Sequence, residues 1–471
     1  MNMYKKLVTN SLIFAVGNLG TKLITFFLVP LYTYYLTPSE FGMVDLLTTT
    51  ISFLMPIVTL SIFDAVLRFV MDKSHDKKEV LINSLFIVLI GFFLISLFYP
   101  VLIILLPFDD YIHYFYLLLL VQSINTILTQ YIRAKGMIRL FALSGIFNVF
   151  TVLIFNIALL MIFKMGIVGY LISIILANII STIFVIISGK VHHDFIIKKV
   201  NIKLMKEMLH YSIPLIPNAL MWWIMSLSDR YIITYLLGIS ANGIYAVANK
   251  IPSILNIVNS IFFQAWQMSA IEEANSKEKS HFFSNVFNVF SIAMLVTTSL
   301  LLVFLKLIMG VFVANSYFIA WKYVPFLLLG VVFSSFSGFL GTNYIATKKT
   351  SGIFKTSVIG AILNIVVNLL LVPTIGINGA AIGTMISFAV IWLLRIKDTR
   401  EFVNIKLNKR KLFLTLFFVY VQIGILYLNI KLGNLFQIVL LMLIILLNFY
   451  EIRGILEKII IIITKKSKQS K

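Results

Sequence analysis

Apolar residues fall in long unbroken runs along this chain, separated by short polar gaps, from Ser11 to Tyr450. A run of about 20 residues is enough for a helix to cross roughly 30 Å of hydrocarbon. Fourteen such runs can be drawn, at 11–36, 42–69, 80–106, 111–132, 140–163, 167–189, 207–237, 242–271, 281–313, 317–346, 352–373, 377–395, 412–429 and 433–450. Spanning strands would alternate over about ten residues, and these runs do not alternate. With no water to satisfy the peptide groups inside a bilayer, the runs must be helices. The pattern therefore predicts an all-α integral membrane protein with about fourteen transmembrane helices.

Composition agrees, with 60% hydrophobic and only 12% charged residues in 471, far from the balance of water-soluble domains. The net charge of +21 raises nucleic acid as a partner, but the placement of the basic residues removes it. Lys73, Lys77, Lys78, Arg133, Lys135, Arg139, Lys190, Lys198, Lys199, Lys277, Lys279, Lys348, Lys349 and the stretch from Arg395 to Lys411 fall in alternate gaps. The intervening gaps hold only Lys164 and Lys431. Short basic loops stay in the cytoplasm, so both termini are expected there, with the KKSKQSK tail against anionic membrane lipid. Lys5 and Lys6 precede the first run, yet no A-x-A-like site follows, so that run is expected to remain as a span.

The chain has no Cys, which excludes disulfides, thiolate metal sites and a Cys nucleophile. The outer gaps are mostly four to six residues and leave no loop to carry acid, base or sugar-binding groups. The longest inner connections, 190–206 and 396–411, lack paired carboxylates, a phosphate loop, or His and Glu at metal-binding spacing. The adjoining His192 and His193 read as a solvated pair. No catalytic residue, metal or cofactor is expected, and the chain does not read as an enzyme.

Internal repetition organises the spans. YLTPSEFGMV (35–44) has the shape of LLGISANGIY (236–245) at an offset of 201. QYIRAKGMIRLF (130–141) resembles NYIATKKTSGIF (343–354), and KMGIVGYLIS (164–173) resembles TIGINGAAIG (374–383). The matches keep their order, so a six-span unit is used twice. An even number of spans keeps both copies in one orientation, with a pseudo-two-fold axis along the membrane normal. The expected divisions are a first lobe at 1–189, a basic linker at 190–206, a second lobe at 207–397, a basic connection at 398–411, an extra helix pair at 412–450 and a basic tail at 451–471.

The stretches DRYIITYLLG (229–238), FDAVLRF (63–69), YIRAKG (131–136), FQAWQMSAIEE (263–273) and VPTIGINGAAIGTMIS (372–387) resemble the polysaccharide flippases of the multidrug, oligosaccharidyl-lipid and polysaccharide exporter superfamily. The similarity is narrower to Wzx-type flippases and covers residues 1 to about 400. It implies two helical bundles alternating between inward-open and outward-open states in a bacterial cytoplasmic membrane. The implied substrate is an undecaprenyl-pyrophosphate-linked oligosaccharide for capsule, exopolysaccharide or O-antigen-type polymers. Implied partners are that lipid-linked substrate, membrane lipids, and the polymerase and assembly proteins of such a pathway. A peptidoglycan lipid precursor or a cationic drug on the same scaffold, and a membrane-integral polymerase, stand as the alternatives.

Polar residues inside the runs mark the candidate site. Lys22 lies about eleven residues into the first run, with Asn18, Thr21 and Thr25 on its helical face. Facing lipid there it would cost at least about 2.5 kcal/mol. Asn218, Trp222, Ser226 and Asp229 form a stripe on the seventh run with Arg230 at its edge, and Asn242, Asn249 and Asn256 recur on the eighth beside Lys250, with Gln264 and Gln267 beyond. Two readings stand for the charges. In one, Asp229 pairs with Lys250 and Arg230 with Asp45, and the pairs lock the bundle. In the other, Arg230, Lys22 and Lys250, with Asn249 and Trp222, form a surface for the pyrophosphate or acidic sugars. Asp64 and Arg68, four apart on the second run, read either as a helical ion pair or, with Arg133, as a cytoplasmic entrance for the diphosphate. Trp222, Trp223 and Trp266 read as packing residues or sugar platforms. Asp45 and Asp229 are the candidates for coupling to a proton or sodium gradient.

Overall fold

The computed structural model of the chain describes residues 3–72, 74–195, 200–272, 278–346, 351–428, 430–451 and 453. Lys73, Lys198, Lys199, Lys277, Lys348, Lys349 and the basic tail from 454 onward lie outside the described residues. Among those described there are nineteen α-helices and no strand. The first twelve are α1 (Met3–Tyr35), α2 (Pro38–Val58), α3 (Ile62–Met71), α4 (Lys77–Leu97), α5 (Tyr99–Leu105), α6 (Ile112–Ala134), α7 (Ile138–Asn156), α8 (Gly166–Ser188), α9 (Ile202–Ser212), α10 (Ile216–Leu227), α11 (Asp229–Leu237) and α12 (Ile239–Ala248). The remainder are α13 (Lys250–Glu272), α14 (Lys279–Phe312), α15 (Val324–Ala346), α16 (Ser351–Ile375), α17 (Ile377–Thr399), α18 (Lys409–Leu428) and α19 (Gly433–Leu447). Among the described residues, eleven helical stretches, some of them joining adjacent elements, are long and apolar enough to cross a membrane.

Several predicted spans are broken helices. The second run is α2 followed by α3, and the break is a Schellman turn in which Ser61 N–H donates to the Pro56 carbonyl (2.9 Å) and Leu60 N–H to that of Ile57 (3.2 Å). Leu60 and Ser61 both have φ of +50°, a conformation that non-glycine residues adopt at a cost of roughly 1–3 kcal/mol. The seventh run is α9, a 3-10 turn at Ile213–Leu215 and then α10 and α11, interrupted at Pro214 and Pro217. Proline lacks the N–H that a continuous helix needs.

Packing divides the chain into two compact units, Met1–Ala246 and Val247–Lys471. Contacts place α9 to α11 with the first unit, whereas the sequence repeat begins its second copy after the 190–206 linker. In the first unit α7 lies between α1 and α8, and α6 packs on both α8 and α3. Its apolar core has one cluster around Val66, Tyr131 and Val185 and another around Leu47, Phe115 and Leu171. In the second unit α17 lies against both α15 and α16, and α14 packs on α18 and α19.

The duplication is visible in the backbone. Gly166 (φ +56°) and Gly376 (φ +65°), corresponding positions of the third repeat match, both take the left-handed conformation that glycine adopts freely. Three residues on, Gly169 and Gly379 each press against a backbone carbonyl of the preceding helix, at Leu159 and Leu371.

The described part of the 190–206 connection is pinned to the first unit. Asp194 accepts hydrogen bonds from Lys135 Nζ (2.7 Å) and the Tyr131 hydroxyl (3.0 Å), and Lys78 Nζ lies 3.8 Å away. Asn201 caps α9 and exchanges two backbone-to-side-chain bonds with Asn83. Burial works against ionisation of Asp194, but the bonds from Lys135 and Tyr131 and the two ammonium charges outweigh it and hold its pKa below the ordinary value. Its stabilising contribution is therefore complete above about pH 4 and is lost as pH falls through the depressed pKa. Asp194→Asn is expected to lower stability at pH 7 by on the order of 1–2 kcal/mol. Melting curves by tryptophan fluorescence should show the wild-type advantage shrinking as pH drops below about 4. An equal advantage at pH 7 and pH 3 would contradict this.

Arg395 departs from expectation. By sequence it closes the 377–395 run and heads the basic stretch to Lys411, but α17 continues to Thr399 and Arg395 is 3% exposed within it. Its guanidinium donates to Thr356 Oγ1 (3.0 Å), the Ser337 carbonyl (2.8 Å) and Ser357 Oγ (3.3 Å). Among the described residues no carboxylate lies within 4.0 Å of it. Neutral oxygens from two neighbouring helices thus replace the solvent that a loop would have supplied.

Candidate functional site

The motif LTPSEFG opens α2 with a capping box. Thr37 Oγ1 accepts from Glu40 N–H (3.3 Å), and Glu40 Oε2 accepts from Thr37 N–H (2.8 Å), with Pro38 in the first turn. This fixes the direction in which α2 leaves the loop, and it brings Gly42 against the start of α12. The approach is reciprocal: a Cβ on Gly42 would lie 2.1 Å from the Ile239 carbonyl oxygen, and one on Gly243 would lie 1.8 Å from that of Pro38. Asn242 Nδ2 donates to the Gly42 carbonyl at 2.9 Å. Gly42 and Gly243, and likewise Pro38 and Ile239, are separated by the repeat offset of 201, so the repeated segments meet each other.

Next to this crossing is an ion cluster on α2, α11 and α12. Arg230 Nε donates to Asp45 Oδ2 (2.9 Å), and its Nη1 donates to Asp229 Oδ1 (3.2 Å) and to the Ser226 carbonyl (3.2 Å). The Tyr245 hydroxyl donates to Asp229 Oδ2, and the guanidinium lies 5.8 Å from the Tyr245 ring centre. Asp229 and Arg230 are 2% and 8% exposed. Two further bonds join α2 to α10 and α11: Trp223 Nε1 donates to the Thr49 carbonyl (3.0 Å), and Thr50 and Tyr231 share a hydroxyl bond. The expected Arg230–Asp45 pair is therefore formed, and it is one member of a continuous polar seam.

The other candidates occupy different places. Lys22 is exposed on α1. Asn249 and Lys250 are half-buried where α12 gives way to α13, in the second unit. Trp222 is 39% exposed, while its neighbour Trp223 packs on Phe53 (4.6 Å between ring centres). Trp266 is buried against Phe339 (4.3 Å) and donates to Thr342 Oγ1 (2.8 Å), so it is a packing residue. Asp64 and Arg68 are both exposed on α3, and the helical ion pair read from their spacing is not formed. Arg133 ends α6, with its guanidinium 5.4 Å from the Phe141 ring centre. The side chains of Asn18, Gln264 and Gln267 lie outside the described residues.

A second polar feature escaped the sequence reading. A cavity of about 290 Å³ inside the first unit is lined by Thr21, Asn125, Thr129, Ser144, Asn148 and Asn178 among others, and no charged side chain lines it among the described residues. Asn125 Nδ2 donates to Thr182 Oγ1 at 3.0 Å. Asn125 and Thr129, and Ser144 and Asn148, are each four apart on one helix face. That periodicity was the available signal, obscured by how common Asn is throughout this chain. Amides and hydroxyls of this kind exchange hydrogen bonds with neutral hydroxyl groups or water. Among the described residues no group of three or more His, Asp or Glu side chains is placed to hold a metal ion.

A duplicated bundle of broken membrane helices, with a buried ion cluster joining its repeated segments, has the architecture of a membrane transporter. The fold is that of the multidrug, oligosaccharidyl-lipid and polysaccharide exporter superfamily. It superposes on the lipid II flippase MurJ in an inward closed conformation with a TM-score of 0.73, over 94% of this chain and 100% of that one, at 16% identity. An inward-facing multidrug resistance MATE family transporter of the MOP superfamily gives 0.68 over 82% of this chain and 98% of that one, at 14% identity. The chain belongs to the polysaccharide biosynthesis protein family, whose model matches residues 7–267. Among curated relatives it is 25% identical to the uncharacterized membrane protein MJ1068 of Methanocaldococcus jannaschii, over 60% of this chain and 61% of that protein. It is 28% identical to the probable low-salt glycan biosynthesis flippase Agl15 of Haloferax volcanii, over 45% of each. The chain thus spans less than two thirds of the length of these relatives.

Proposed function

We propose that this protein is a non-enzymatic flippase that carries a lipid-linked glycan from the inner to the outer leaflet of the cytoplasmic membrane, with both termini inside. The carrier is a polyprenyl pyrophosphate, undecaprenyl in a bacterial host, and the glycan a repeat unit of a capsule, exopolysaccharide or O-antigen-type polymer. The observation that carries this reading is the seam between α2 and α10 to α12. Its Arg230 bridge and glycine crossing hold repeated segments together through a few bonds that can be broken and remade, as alternating access requires. The name of the Haloferax volcanii relative and the fold shared with the lipid II flippase support glycan lipid as the cargo.

In this arrangement Arg230 is occupied by two carboxylates, so its first role is as a latch. Arrival of a pyrophosphate would compete with Asp45, and protonation of Asp45 or Asp229 would weaken the same bridge. Lys22, Lys250, Arg68 and Arg133 remain candidates for headgroup contacts along the path.

Depletion of the protein in its host is expected to trap single lipid-linked repeat units on the inner leaflet. They would be shielded from an impermeant sugar-oxidising label applied to intact spheroplasts. Unpolymerised units that still reach the label would refute the flippase reading and favour a defect in polymerisation.

A further inference from the structure

The final helix pair of the second unit holds a polar basic cavity that has no part in the seam. It measures about 210 Å³ and lies where α14 meets the α18–α19 turn, lined by Lys306, Lys431, Gly433, Asn434 and Gln437 among others. Lys306 and Lys431 both line it, and no carboxylate does among the described residues. No side chain caps α19 at Leu432, and its first turn holds no acidic residue, so the positive end of that helix faces the cavity uncompensated by its own chain.

Gln437 supplies an independent sign of a ligand. It is 1% exposed, and its Nε2 donates to the Gln422 carbonyl (2.6 Å) while Gln422 Nε2 donates back to the Gln437 carbonyl (3.2 Å). That exchange clamps α18 to α19 and orients both amides, leaving Oε1 of each glutamine without a hydrogen-bond partner among the described residues; of the two, Gln437 lines the cavity. A buried acceptor left in this state is costly until a donor reaches it.

The depth of the cavity suits a headgroup. Lys306 lies six residues before the end of α14 at Phe312, roughly 9 Å along the axis. Its Nζ sits 4.4 Å from the Trp321 ring centre, the Trp321 and Tyr427 rings are 5.9 Å apart, and the Tyr427 hydroxyl donates to the Lys322 carbonyl. Trp, Tyr and Lys gathered in this way mark the boundary between hydrocarbon and water.

We infer that this cavity binds the phosphate ester of an anionic glycerophospholipid. The phosphate lies between Lys306 and Lys431 at the start of α19, and a headgroup hydroxyl donates to Gln437 Oε1. The site is independent of the flippase reading, since it needs only a membrane and this helix pair.

The test uses the full-length protein purified in neutral detergent, with lipid binding followed by native mass spectrometry and thermal shift. Phosphatidylglycerol, phosphatidic acid, phosphatidylcholine and inorganic phosphate are compared. Phosphatidylglycerol is expected to bind most tightly, with Lys306→Gln and Lys431→Gln each weakening it about fivefold. Gln437→Leu should remove the preference for phosphatidylglycerol over phosphatidic acid, which lacks the headgroup hydroxyl. Lys431 is exposed, so its variant keeps the test valid if Lys306→Gln does not fold. Equal binding of phosphatidylcholine, an unchanged affinity in Lys431→Gln, or inorganic phosphate reproducing the whole effect would each overturn the assignment.

Discussion

Replacing Arg230 by Met is expected to reduce transport to background and to lower the melting temperature of the purified protein. The substitution keeps the side-chain volume but leaves Asp45 and Asp229 facing each other without their shared cation. Removing one partner of a buried pair costs about 3–5 kcal/mol, because the remaining charge stays desolvated. Here two carboxylates lose that cation, and Tyr245 donates to one of them, Asp229. Neutralising the whole cluster, as Asp45→Asn, Asp229→Asn and Arg230→Met together, should recover most of the lost stability, since no buried charge remains. Transport in that triple variant then separates the roles: recovery assigns Arg230 to the latch, and continued loss assigns it a contact with the anionic cargo as well. Wild-type transport and melting in Arg230→Met alone would contradict both.

Gly243→Val is expected to open the crossing between α2 and α12. Its Cβ would fall 1.8 Å from the Pro38 carbonyl oxygen and 2.9 Å from Gly42 N, both backbone atoms that cannot turn aside. The helices must separate, and the polar seam beside them opens with the crossing. Because the chain has no Cys, a single introduced thiol reports this without interference. Thr49→Cys, at a position 4% exposed in the closed seam, should react with an impermeant maleimide at least about tenfold faster in the Gly243→Val background. That factor corresponds to a shift of only about 1.4 kcal/mol between closed and open forms. Gly424→Ala, where a Cβ meets nothing within 4 Å, should leave the rate unchanged. Equal labelling in both variants would show that the glycine crossing does not hold the seam shut.

These predictions rest on residues that the sequence made visible to different degrees. The helical class and most of the spans were legible, since twenty apolar residues in a row have few alternatives inside a bilayer; the breaks within runs two and seven were not. The duplication was legible too, because Gly42 and Gly243, and Gly166 and Gly376, repeat in order for backbone reasons that any copy of the unit must share. Asp45, Asp229 and Arg230 stood out because charges inside apolar runs are costly; of the two pairings expected, Arg230 with Asp45 is formed, while Arg230 also bonds the Asp229 that the sequence reading paired with Lys250.

Other features depended on where helices end and on what they meet. Spacing alone made Asp64 and Arg68 a pair, but only the fold shows that the two side chains stay apart on the exposed face of α3. Position at the end of a run made Arg395 look like a loop cation, whereas α17 runs on and buries it among hydroxyls and a carbonyl. The partners of Trp266 and Trp223, and the Asn125–Asn178 cavity, follow from helix rotation, which apolar content does not specify. By itself the sequence determined the medium, the helical class and the duplication, because hydrocarbon penalises each exception locally and strongly. The tertiary structure decided which polar groups meet, because that depends on helix breaks, rotations and close backbone approaches set by many weak contacts between distant parts of the chain.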